Sequence, residues 1–186
     1  MTTLTRRSLL RGVGLASVAT LGAGASWAEV GAPALVAAAR ARTATTEHYR
    51  LLALDAEGQA TVDLALPARG HAAAVHPHRA RVVAFARRPG TFALVLDCAT
   101  GRVEAELSAP EGRHFYGHGC YTADAGVLFT TENAYASGEG RIGLWDATTH
   151  TRLGEVPSGG LGPHDMALLP DGRTLVVANG GIRTHP

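Results

Sequence analysis

The sequence predicts an all-β protein, a β-propeller built from four-stranded blades, and three observations predict it. His71, His118 and His164 lie 47 and 46 residues apart. Each histidine opens a similar unit, in which an apolar alternating segment is followed by a turn and then by a strand rich in valine and leucine. A period in the forties with strands in each copy is typical of propeller blades, since a small sheet buries both faces only when neighbouring sheets pack against it.

The first 28 residues are predicted to form a twin-arginine export signal. Arg6 and Arg7 precede a Gly/Ala-rich run over 12–25, and Ser26-Trp27-Ala28 offers small residues where a signal peptidase cleaves. A retained membrane anchor is the alternative, but the run is too short and too rich in glycine and alanine to span a bilayer. We therefore expect a periplasmic protein, delivered by the twin-arginine export machinery, with no stable membrane anchor.

The export signal gives a direct test. Because the arginine pair is the part of the signal that this export route reads, replacing both Arg6 and Arg7 with lysine is expected to trap the precursor in the cytoplasm. Fractionation of cells followed by immunoblotting measures this. Mature protein that still accumulates in the periplasm would show that another route exports it.

The remaining segment, residues 29–186, is predicted to contain two complete blades, over 70–116 and 117–161. Partial blades are predicted over 33–69 and 162–186. In the blade that starts at Gly70, the four strands are predicted at Ala72–Val75, Arg81–Ala86, Thr91–Leu96 and Arg102–Leu107. In the first partial blade, strands are predicted at Ala34–Ala39, Tyr49–Leu54 and Thr61–Leu66. Closed propellers need about four to eight blades, so we expect the N-terminal half of a propeller that is seven-bladed when complete; a three-blade domain is the competing interpretation.

The charge pattern argues against nucleic-acid binding. The chain has no lysine, and after residue 28 it carries 14 arginines and 16 acidic residues. Arg87-Arg88 is the one adjacent basic pair in that segment, whereas a nucleic-acid binder normally shows a basic patch with interleaved aromatic residues.

The repeated histidines are predicted to converge. The first strand of each blade lines the axial channel, so His71, His118 and His164 should lie on one rim and could bind a divalent metal. In the alternative interpretation each histidine forms a hydrogen bond within its own blade, as the Gly-His pair of WD40 repeats does. His185 is added to the predicted metal ligands, whereas His76 and His78, which flank Pro77 in a turn, are predicted to be solvated.

A second group of polar residues is predicted to bind a ligand. Glu132-Asn133 and Asn179-Gly180 each follow the second strand of a unit, where a loop towards the third strand should emerge. The competing interpretation is turn chemistry, because Asn before Gly readily adopts left-handed backbone angles. The predicted ligand-binding residues are Arg88, Arg113, Glu132, Asn133 and Asn179.

Several strings of residues resemble a known family of exported bacterial proteins, the domain of unknown function 1513 family. These strings are Pro67–His71, Phe85–Phe92, Gly112–His118, Thr131–Asn133, Gly162–Asp165 and Val177–Pro186. The resemblance implies a periplasmic seven-bladed propeller of the YVTN or WD40-like kind with no established catalytic activity. Members are often encoded beside imelysin-type iron-uptake proteins, which implies a link to iron or metal uptake.

Two functional hypotheses follow. The first is a non-enzymatic binding or scaffolding propeller, whose rim presents histidine and arginine to a periplasmic protein, a divalent metal or a small anionic ligand. The second is a cofactor- or metal-dependent periplasmic enzyme of the oxidoreductase type with a histidine-lined axial site. The sequence presents no nucleophile with an adjacent base, no Cys-x-x-Cys pair and no phosphate-binding glycine loop, so the first hypothesis is preferred.

Overall fold

The computed structural model describes residues 26–29 and 33–184, so the predicted export signal, apart from its last three residues, and His185 lie outside the described part. Within the described residues the chain forms thirteen β-strands and no helix. The strands are β1 Leu35–Arg42, β2 Glu47–Leu54, β3 Ala60–Leu66, β4 Gly70–Val75, β5 Arg81–Ala86, β6 Phe92–Asp97, β7 Arg102–Ser108, β8 Arg113–Tyr121, β9 Val127–Ala134, β10 Glu139–Asp146, β11 Arg152–Leu161, β12 Pro163–Leu168 and β13 Leu175–Asn179.

The strands form four antiparallel sheets in which consecutive strands are neighbours. Sheet 1 contains β1 to β3, sheet 2 contains β4 to β7, sheet 3 contains β8 to β11, and sheet 4 contains β12 and β13. The all-β propeller architecture predicted from the sequence is confirmed, and most of the predicted strands are found to within a few residues. The number of blades in a complete ring stays a prediction.

Sheet 2 shows why consecutive sheets must pack together. Its strands β5 and β6 are apolar on both sides, and their side chains alternate between two cores. Val83, Phe85 and Val95 lie in the core shared with sheet 3, whereas Val82 and Leu96 lie in the core shared with sheet 1. A strand of period two that buries both faces needs a neighbouring sheet on each side, which is the packing of propeller blades.

The turns before the last strand of sheets 1, 2 and 3 share one hydrogen-bonding arrangement. The carboxylate of Asp97 accepts hydrogen bonds from the backbone N–H groups of Ala99 and Thr100. Asp55 and Asp146 stand at the equivalent turns of sheets 1 and 3 and accept backbone N–H groups in the same way. In each turn the carboxylate accepts backbone N–H groups that have no strand partner, which explains why aspartate recurs at this position.

Two features of the fold differ from the sequence-based expectation. Glu132 and Asn133, predicted to follow the second strand of their unit, lie inside that buried strand instead, because β9 runs to Ala134 and β10 begins at Glu139. His76 is not solvated: it is 4% exposed, and its Nδ1 accepts the backbone N–H groups of His78 and Arg79. His76 can be buried because its ring accepts hydrogen bonds from the backbone N–H groups of its own turn. His78 is exposed, as predicted.

The segment before the first sheet also makes a contact with the fold. Trp27 packs against the core between sheets 1 and 2, and its indole N–H donates a hydrogen bond of 2.8 Å to the carbonyl of His76. Among residues 26–29 and 33–184 there is no helix of the length and apolarity that crossing a bilayer requires.

Candidate functional site

The three repeated histidines meet at one place, although each belongs to a different sheet. His71 lies in β4, His118 in β8 and His164 in β12. The ring of His118 lies 4.9 Å from that of His71 and 5.0 Å from that of His164, measured between centroids. One nitrogen atom from each ring can be chosen so that all three lie within 4.8 Å of one another. The convergence follows from the fold, since β8 packs against both β4 and β12.

A bulge in β8 brings His118 into this cluster. The pairing of β8 with β9 shifts register between Phe115 and Gly119. Gly117, within the bulge, has a φ of +110°, and a side chain there would overlap the ring of His71. Glycine is therefore required at position 117 both for its backbone conformation and for the close approach of His71.

The orientation of His118 is fixed by the neighbouring sheet. Its Nδ1 lies 3.1 Å from Oδ1 of Asp165, which also accepts the backbone N–H of Met166. The N–H therefore belongs on Nδ1, which leaves a lone pair on Nε2. In the part of the chain that the structure describes, that buried Nε2 has no hydrogen-bond partner. A carboxylate on one ring nitrogen and a free lone pair on the other is the arrangement of a metal-ligating histidine.

The surroundings of His71 and His118 favour the neutral form of each imidazole. Partial desolvation of the ring, and then the positive charge of the nearby His118, His164, Arg87 and Arg88, lowers the pKa of His71. Burial likewise lowers the pKa of His118, while the carboxylate of Asp165 acts in the opposite direction. A neutral imidazole is the form that binds a metal ion.

A small cavity adjoins the histidines. It has a volume of about 80 Å³ and is lined by His71, Arg87, Arg88, Tyr116 and His164. Arg88 donates a hydrogen bond to the hydroxyl of Tyr116, and its guanidinium carbon lies 4.9 Å from the centre of that ring. The same hydroxyl donates a hydrogen bond of 2.7 Å to the carbonyl of Ile182. Arg88 is thus held against the wall of the cavity, where the sequence predicted a ligand-binding residue.

Two other predicted ligand-binding residues belong to an ion-pair network inside sheet 3. Glu132 is fully buried, and its two oxygens accept hydrogen bonds of 2.7 and 2.9 Å from the guanidinium of Arg152. Arg113 forms an ion pair with Glu155. Their charges are balanced within the protein, so the contacts give them a part in holding the sheet together.

The two predicted asparagines connect sheets 3 and 4. Asn133 is buried, and its side-chain oxygen accepts the backbone N–H of Gly162 at 3.3 Å. Asn179 donates to the carbonyl of Ser158 at 3.0 Å and accepts the hydroxyl of the same serine at 2.8 Å. The structure therefore brings together His71, His118, His164 and Arg88, and places Arg113, Glu132, Asn133 and Asn179 in other contacts.

The hydrogen bonds of His118 differ from the WD40-like alternative, in which the histidine bonds within its own blade. Within sheet 3 the indole N–H of Trp145 donates to the hydroxyl of Thr130, and that hydroxyl donates to Glu132. The imidazole of His118 is directed to sheet 4 instead. Sequence reasoning assigned no role to Asp165 or Tyr116; the position of Asp165 directly after a repeated histidine was the signal that could have identified it.

Comparisons with known proteins agree on the fold and leave the activity open. A family model described as "Protein of unknown function (DUF1513)" matches residues 64–186. No curated protein matches the chain. Among solved structures, the chain is similar to one from the crystal structure of a mitotic checkpoint complex, with a TM-score of 0.58, 15% identity, and 75% of this chain and 47% of that chain covered.

A second similar structure is a protein of unknown function from Bacteroides caccae. The TM-score is 0.50 with 12% identity, and the match covers 74% of this chain and 48% of that chain. The chain thus spans about half the length of the solved structures that it matches. At these identities the similarity shows the fold alone.

Proposed function

Because the chain belongs to the DUF1513 family, whose description assigns no activity, we propose a function from its own geometry: it is a binding propeller that holds a divalent transition-metal ion at His71, His118 and His164. The observation that carries the proposal is the buried, unpartnered Nε2 of His118, which Asp165 orients from the opposite side of the ring. An unsatisfied buried nitrogen has a cost of about 1 to 3 kcal/mol, and a metal ion would remove it.

The residue types favour ions such as zinc, copper, nickel and iron, because imidazole suits all of them. A tetrahedral zinc ion with Zn–N distances of about 2.0 to 2.1 Å needs its ligand nitrogens about 3.4 Å apart. The three nitrogens lie within 4.8 Å of one another, so the rings must close inwards by about 1 Å. His71 and His164 are exposed and can rotate to make that movement.

The proposal also includes a location and a class of activity. The twin-arginine motif supports export to the periplasm, where a metal-binding propeller would act as a binding or scaffolding protein. Three protein ligands would leave a fourth coordination position on the metal open. Zinc sites with three protein ligands hold a water molecule or another small ligand at that position.

Zinc titration of the purified, chelator-treated protein tests this proposal. Isothermal calorimetry is expected to show one Zn²⁺ per chain, and His118→Ala or His164→Ala is expected to weaken binding by at least about 100-fold. Asp165→Asn should weaken it by about 10- to 100-fold, because the carboxylate orients a ligand. His48→Ala is the matched control, since His48 is an exposed histidine on β2, outside the cluster.

The thermal melting curve of each metal-free variant shows whether it is folded. The absence of stoichiometric zinc binding by the wild-type protein would contradict the proposal. Equal zinc affinities for folded His118→Ala and His48→Ala would contradict it as well.

A further inference from the structure

The histidine cluster lies beside two arginines, Arg87 and Arg88. Several other arginines of the described sheets, including Arg40, Arg50, Arg81 and Arg152, form ion pairs with carboxylates. Arg87 and Arg88, which line the cavity next to His71 and His164, have no such pair within residues 33–184. An excess of positive charge in a concave site attracts anions.

Building on the proposed function, we propose that the metal ion and these two arginines together bind a small oxyanion, a carboxylate or phosphate group. One oxygen would occupy the open position on the metal, and further oxygens would accept hydrogen bonds from Arg87 and Arg88. Guanidinium groups present planar pairs of N–H donors that match the geometry of carboxylate and phosphate oxygens.

The local carboxylate does not satisfy this site. Oδ1 of Asp165 accepts hydrogen bonds from Nδ1 of His118 and from the backbone N–H of Met166, and Asp165 does not line the cavity. A divalent ion held by three neutral imidazoles would raise the positive charge of the site further. Within residues 33–184 no carboxylate forms an ion pair with Arg87 or Arg88, so an external anion is the group that would balance their charge.

The shape of the site restricts the size of the anion. The cavity has a volume of about 80 Å³, whereas a single water-sized sphere occupies about 10 to 15 Å³. It therefore fits a single carboxylate or phosphate group, with the remainder of a larger molecule outside. The contacts of Arg88 with Tyr116, whose hydroxyl is itself bound to the carbonyl of Ile182, hold the guanidinium in place before a ligand arrives.

Cobalt provides a metal whose visible absorption reports on its coordination. The purified protein is loaded with Co²⁺ to full occupancy, which is confirmed for every variant, and is then titrated with inorganic phosphate and, separately, with acetate. We expect saturable changes in the cobalt absorption with at least one of the two anions, and the stronger response identifies the preferred group. Arg87→Gln and Arg88→Gln should each weaken anion binding by at least about 10-fold.

Arg42→Gln is the matched control, because Arg42 is exposed on β1 and does not line the cavity; it should bind the anion as the wild type does. Metal-free protein, tested by calorimetry, should bind the anion at least about 10-fold more weakly than the cobalt form. Failure of Co²⁺ to bind, seen before any anion is added, would overturn the metal proposal and this inference together. Cobalt binding without an anion response, or with equal responses for Arg87→Gln and Arg42→Gln, would overturn this inference alone.

Discussion

Arg152→Ala is expected to lower the free energy of unfolding by about 3 to 5 kcal/mol, because it leaves the buried carboxylate of Glu132 without its main partner. Glu132 is fully buried and accepts hydrogen bonds from Nη1 and Nη2 of Arg152 at 2.7 and 2.9 Å. Arg113 remains 4.0 Å from the second oxygen, so it only partly replaces the lost charge. Arg152 also lies over the ring of Trp145, a contact that the substitution removes.

Urea denaturation curves measure this change, since the midpoint shifts with stability while the slope stays constant. The matched control is Arg50→Ala, which breaks the exposed ion pair with Asp63 and should cost at most about 1 kcal/mol. A double variant, Glu132→Gln with Arg152→Met, leaves no unpaired charge in the sheet and should regain part of the loss. An equal decrease in the free energy of unfolding for Arg152→Ala and Arg50→Ala would contradict the predicted importance of the buried pair between Glu132 and Arg152.

Acid is expected to destabilise the protein through His76. Burial is the main reason that the pKa of His76 is lowered to about 4, and the neighbouring Arg81, Arg79 and His78 lower it further. Its Nδ1 accepts two backbone N–H groups, so a proton added there would break the turn. The unfolded chain, with a pKa of about 6.5, binds the proton more readily. Stability is therefore complete above about pH 6.5 and falls as the pH drops towards 4.

The contribution of this one group amounts to about 2 kcal/mol between pH 7.5 and pH 5. His76→Asn is the informative variant, because its side-chain oxygen can accept the same N–H groups but does not titrate. Urea denaturation at the two pH values should show a smaller acid loss for His76→Asn than for the wild type. His48→Asn, at an exposed position, should keep the wild-type loss. The same pH dependence in His76→Asn and the wild type would show that other groups cause it.

The strands and the meeting of the histidines could be predicted because both depend on local repetition. Alternating apolar residues, bounded by turn residues, predicted β5 and its neighbouring strands. The spacing of His71, His118 and His164 predicted that they occupy equivalent positions in successive sheets, and their rings do lie close together. Sequence patterns carry such information because strand periodicity and turn chemistry are local properties.

The remaining parts of the site depend on partners that are distant along the chain. Glu132 was predicted to follow its strand, where a loop begins, because nothing near it in the sequence indicates that Arg152 neutralises it inside a strand. Asp165 bonds a histidine of the preceding sheet, a pairing that depends on how two sheets pack. Buried polar groups are determined by three-dimensional contacts of this kind, and no local propensity encodes them.

The three histidines come from three different sheets, so any ion they share would act as a cross-link between consecutive sheets. Such an ion binds only the assembled arrangement of β4, β8 and β12, and at a concentration 100 times its dissociation constant it would stabilise that arrangement by about 2.7 kcal/mol. A small rotation of one sheet relative to its neighbours would separate the imidazoles and release the ion. Metal occupancy would then measure the relative orientation of consecutive sheets.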